Sequence, residues 1–151
     1  MGERDEVDNR PEALRRKALV EGWESWLRGI RWDYYATGTW TQPVTAATAL
    51  RVVRNWLSAD PQAYAAIGVQ RGPALLKYHV HVLVGGLGRH RFTETRLRGS
   101  WVKFGHLKID GYHPALGGVE YLVQQADEIE LVGSPKPFRP RHRAGQGHNG
   151  G

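Results

Sequence analysis

The stretch Lys77–Gly86, KYHVHVLVGG, admits few placements in a fold. Alternate side chains of a strand point to opposite faces. Tyr78, Val80, Val82 and Val84 therefore share an apolar face that needs helical cover, while His79, His81 and Leu83 share the other. A chain carrying this run is expected to build a sheet with one face packed and two imidazoles looking out from the uncovered face.

The surrounding patterns supply that sheet. Residues 32–40, WDYYATGTW, are aromatic and β-branched enough for a strand, as are AYAAIGVQ before the histidine run and GHLKID and IELVG after it. Helical spacing marks PEALRRKALVEGWESWLRGI, PVTAATALRVVRNWLSAD, RFTETRLRGSWVKF and ALGGVEYLVQQADE. The order predicts an α+β fold: a split β-α-β (RRM/ferredoxin-like) antiparallel sheet of about five strands with helices on one face.

At 151 residues the chain can bury one core. One domain is expected over 1–133, with an N-terminal helix at about 11–30 and a core at about 32–133. Residues 134–151, rich in Pro, Gly and Arg, read as a basic disordered tail. There is no cysteine, which removes disulfides, thiolate metal sites and thiol nucleophiles. The charged opening, MGERDEVDNRPE, resembles neither a signal peptide nor a membrane span, so a cytoplasmic protein with no membrane partner is expected.

The net charge of +6 is unevenly distributed. Residues 28–108 hold twelve Lys/Arg against three Asp/Glu, whereas 109–133 hold five acids and no base. Most of the tryptophans and tyrosines lie among the basic residues. Such a surface suits a polyanion with unpaired bases, because Lys and Arg neutralise phosphates and aromatic faces stack on bases.

Two histidines at i and i+2 on one strand face can converge on a divalent cation. Gln70 lies nine residues before His79, across a turn containing Gly72 and Pro73. A hairpin brings its side-chain oxygen beside them as a hard ligand for Mg²⁺ or Mn²⁺. In GGVEYLVQQADE, Val119, Leu122, Val123 and Ala126 make an apolar stripe, which leaves Tyr121 on the side of Gln124, Gln125 and Glu128. Held near a metal, that phenol can attack a phosphodiester.

The succession YYATGTW, GVQRG, KYHVHVL, FGHLKID and GGVEYLVQQ, over about residues 32–127, resembles the HUH endonucleases, in particular the rolling-circle replication initiator (Rep) proteins. The resemblance implies that His79, His81 and Gln70 hold Mn²⁺ or Mg²⁺. It implies that Tyr121 nicks single-stranded DNA, at an origin or hairpin, and keeps the 5′-phosphate. Thr37, Thr39 and Trp40 match the family's first motif and are expected to contact DNA, together with Arg71, Lys77 and Gln124. A helicase and host replication proteins are the implied partners. Gln70 stands where a Glu is common, and Gln124 where many members have Lys.

Two other readings share these residues. The histidine-triad nucleotide hydrolases carry His-x-His-x-His, but Leu83 occupies the third position. A non-catalytic single-strand binding module would use the same basic, aromatic sheet and differ in lacking covalent chemistry at Tyr121. Tyr34 and Tyr35 are substitute nucleophiles, whereas His106, His113, His142 and His148 are expected at incidental positions.

Overall fold

A computed structural model describes residues 11–72 and 78–138. The elements run α1 (Glu12–Arg28), β1 (Tyr34–Trp40), α2 (Ala46–Leu57), β2 (Tyr64–Arg71), β3 (Tyr78–Gly85), α3 (Arg91–Trp101), β4 (Gly105–Gly111), α4 (Gly118–Gln125) and β5 (Glu128–Val132). A one-turn 3-10 segment, Pro114–Leu116, precedes α4. All strand pairs are antiparallel, and the sheet order is β4-β1-β3-β2-β5. The class is α+β with an open five-stranded antiparallel sheet, as the sequence pattern predicts. Among the described residues no helix is long and apolar enough to cross a membrane.

Val80, Val82 and Val84 sit on the packed face with Ala36, Ile67 and Val69, under α2 and α3. Helix α2 buries Ala49, Leu50, Val53, Trp56 and Leu57, a stripe of helical period. Its first turn is capped by Thr45, whose Oγ1 accepts from the Thr48 amide at 3.1 Å.

Helical cover is not confined to that face. A second core joins Leu27 of α1 and Val119, Leu122 and Val123 of α4 to Ala66 and Leu83, on the histidine side of the sheet. The apolar stripe of α4 and the apolar Leu83 and Ala66 each need cover, and they supply it to one another. Gly68 permits the contact, since a Cβ there would stand 3.0 Å from both Ala126 Cβ and Leu122 Cγ. The histidine face is thus roofed over β2 and β3 and open over β1 and β4.

The expected tail begins inside the fold. The Arg31 amide donates to the Lys136 carbonyl, the Phe138 amide donates to the Gly29 carbonyl at 2.7 Å, and Pro137 bridges Ile30. The backbone that leaves α1 therefore takes residues 136–138 as a short pairing partner. The remaining tail, 139–151, lies outside the described residues.

Candidate functional site

The β2–β3 register sets Gln70 directly opposite His79. On the other side of β3, Thr39 pairs with His79 and Thr37 with His81. Paired residues share a face, so Thr37, Thr39, His79, His81 and Gln70 form one cluster.

Within it, Gln70 Oε1 stands 2.8 Å from His79 Nε2 and 2.9 Å from His81 Nε2. An amide oxygen only accepts, so both imidazoles donate to it from Nε2. His81 Nδ1 is then an acceptor, 3.1 Å from the Tyr35 hydroxyl, with Thr37 Oγ1 at 3.4 Å. The amide of Gln70 is oriented from behind: its Nε2 donates to Gln125 Oε1 at 3.0 Å.

His81 is buried, which corrects the expectation that both rings look out from an uncovered face. Tyr35 stacks beside it, and His79 and Tyr121 each stand edge-on to it. Burial, reinforced by His79, pushes the His81 pKa down to about 4. Burial also lowers His79, against an opposing pull from Asp127. Near neutrality both rings are uncharged, the form that ligates metals.

The donor set fits a divalent cation. Ligand atoms about 2.1 Å from a metal and at right angles to each other stand about 3 Å apart, close to the spacing seen between Gln70 and each histidine. Among the described residues no three His, Cys, Asp or Glu side chains cluster, so the set depends on an amide oxygen.

Tyr121 is 51% exposed, and its ring centroid lies 5.0 Å from that of His81. A cleft of about 390 Å³ opens beside it over the uncovered half of the sheet, lined by Tyr35, Thr37, Lys108, Asp110, Tyr112 and His113 among others. Of the substitute nucleophiles, Tyr34 is buried on the far face, where its hydroxyl bonds the backbone of His90. Tyr35 does reach the site. Burial pushes its pKa up to about 12, beyond the lowering effect of Thr37, which keeps its hydroxyl protonated.

Several expected DNA contacts fall elsewhere. Trp40 packs on the opposite face against Trp101, with centroids 5.2 Å apart, because it alternates with Thr39. Arg71 pairs with Tyr78 in the register of that same opposite face, while its amide donates to Asp127. Gln124 turns to α1, donating to Glu24 Oε1 at 3.2 Å. Lys77 lies outside the described residues. Thr37 and Thr39 stay on the site face.

Three further polar side chains share the site face, of which only His106 is named above, as an incidental position. His106 and Lys108 are exposed on β4 opposite Thr39 and Thr37, and Asp110 stands opposite Tyr35. The period-2 pattern of GHLKID carried that signal. Gln125 had no such marker, because only the docking of α4 distinguishes it from Gln124.

No family model, no curated protein and no solved structure matches this chain.

Proposed function

We propose that the chain is an HUH-type endonuclease that nicks and rejoins single-stranded DNA in a sequence-specific way, through a covalent 5′-phosphotyrosine at Tyr121, to initiate rolling-circle replication or mobilisation. The observation that carries this reading is the contact of the Tyr121 ring with His81, whose Nε2 converges with that of His79 on Gln70 Oε1.

His79, His81 and Gln70 would hold Mn²⁺ or Mg²⁺, which supplies polarisation of a phosphoryl oxygen. Tyr35 fixes the His81 ring through Nδ1, and Gln125 fixes the Gln70 amide. Lys108 offers positive charge to the phosphate on the cleft floor. Tyr121 Oη forms the new bond to phosphorus as its proton passes to solvent, the bond from phosphorus to the 3′-oxygen breaks, and that oxygen takes a proton from solvent and leaves as a hydroxyl. One phosphoester replaces another, so the strand can be rejoined or transferred.

The DNA would be single-stranded at an origin or hairpin, with strand separation left to a helicase among host replication proteins. Incubation with mixed single-stranded oligonucleotides and Mn²⁺ tests the proposal. A protein–DNA band that survives denaturation is expected. Its absence on every oligonucleotide, with binding retained, would leave a non-catalytic binding module.

A further inference from the structure

A second cleft of about 390 Å³ adjoins the first and shares the Tyr112 wall with it. Arg28, Arg31, Arg89 and Phe138 line it. Arg28 is committed to Glu24 and Glu120, whereas Arg31 and Arg89 have no carboxylate partner among the described residues. The lining acid, Asp33, is buried, and its Oδ2 accepts from the Leu87 and Gly88 amides. Two exposed arginines without a carboxylate partner among the described residues therefore face solvent in a cleft whose own carboxylate is buried.

Its aromatic and cationic parts are held in place. Phe138 is 57% exposed, yet its amide is fixed on the Gly29 carbonyl. Arg89 donates to the Tyr112 carbonyl and to His113 Nε2, both at the border with the first cleft. It lies across the end of β4 where a Cβ on Gly111 would collide with its guanidinium. A groove that sets two arginines without carboxylate partners beside the exposed ring of Phe138 meets the needs of a single strand: cations for phosphates, a flat face for a base.

We propose that this second cleft is a subsite for the backbone of single-stranded DNA, with Arg31 and Arg89 on phosphates and Phe138 under a base, continuing the strand that passes Tyr121. The identity of the ligand rests on the single-strand reading of the Tyr121 site; the subsite does not depend on cleavage.

The test is fluorescence anisotropy of labelled oligothymidylates, about three and about ten nucleotides long, across a range of salt. Native protein is compared with Arg31→Ala/Arg89→Ala and with the Gln/Gln version should the first fail to fold. The longer strand is expected to bind roughly 10-fold more weakly, with a log–log salt slope shallower by about 1.4, as two lost phosphate contacts require. The short strand, confined to the Tyr121 cleft, should bind equally to both proteins, and Arg31→Ala alone should give an intermediate loss on the longer strand. Unchanged affinity and slope on the longer strand would overturn the subsite, as would an equal loss on the short one. A native protein that forms the covalent band while the arginine variant binds normally sinks the subsite alone. The reverse pattern sinks the cleavage reading alone.

Discussion

Tyr121 stands edge-on to His81, with ring centroids 5.0 Å apart and planes at 84°. A half-exposed phenol thus touches a buried imidazole that is itself bound through both ring nitrogens. The exposed partner is free to meet a strand, and the buried one is held in orientation by its neighbours: with the proton on Nε2 it donates to Gln70, and with the proton on Nδ1 it can donate to the Tyr35 hydroxyl and leave Nε2 open to a cation.

Tyr121→Phe removes one oxygen and keeps the ring against His81. Folding, Mn²⁺ binding and DNA affinity should be preserved while the covalent band falls by ~10³-fold or more. A band of native intensity would transfer suspicion to Tyr35, the other tyrosine that reaches the site.

Calorimetry with Mn²⁺ reads the cation site directly. His79→Ala should abolish binding at little cost to the core, because His79 is only half-buried. Gln125→Ala, which frees the Gln70 amide to turn, should weaken binding by about 10- to 100-fold. Gln70→Glu should tighten it by adding a charged oxygen. Native affinity in the His79 variant would remove the site, and equal or weaker binding in Gln70→Glu would mean that this side chain does not ligate.

Acid should loosen the fold through His81. Its native pKa is depressed to about 4, below the 6.5 of an unfolded histidine, so between those values the unfolded chain takes up the extra proton. Stability from this group is complete above about pH 6.5 and declines as pH falls toward about 4, by up to roughly 3 kcal/mol. His79 shifts in the same direction. Melting temperatures of native protein and His81→Asn between pH 7 and 4.5 provide the check. The native curve should be the steeper, and parallel curves would contradict the assignment.

Single-stranded DNA should outcompete duplex, and its affinity should fall steeply with salt. Removal of 139–151, a cut placed beyond the paired residues 136–138, subtracts three arginines. A modest loss of affinity with an unchanged cleavage position is expected. Movement of the cut site, mapped on a sequencing gel, would show that the tail reads bases.

Much of this arrangement is legible in local pattern. Two-residue alternation places His79 and His81 together, a short hairpin brings Gln70 to them, and helical period sends Tyr121 away from the stripe of Leu122 and Val123. The same alternation separates Trp40 from Thr39, a distinction lost when the segment is matched as one continuous motif. Other features depend on distant parts of the chain. Gln124 and Gln125 are neighbours on one helix, and their division between Glu24 and Gln70 follows from where α1 and β2 flank α4. The roof over half the histidine face likewise comes from long-range packing, although Leu83 and Ala66 on that face already call for cover.

Tyr121 and Gln125 are one helical turn apart on α4, the first against His81 and the second on the amide of Gln70. In the proposed mechanism the reacting oxygen and the brace on a cation ligand would ride on one short rod, seated on β2 at Gly68. Any tilt of that rod shifts both ends together, so attack and grip are geared to each other. A strand wedged beneath α4, or a partner pulling on α1 through Glu24, would disengage both in a single stroke.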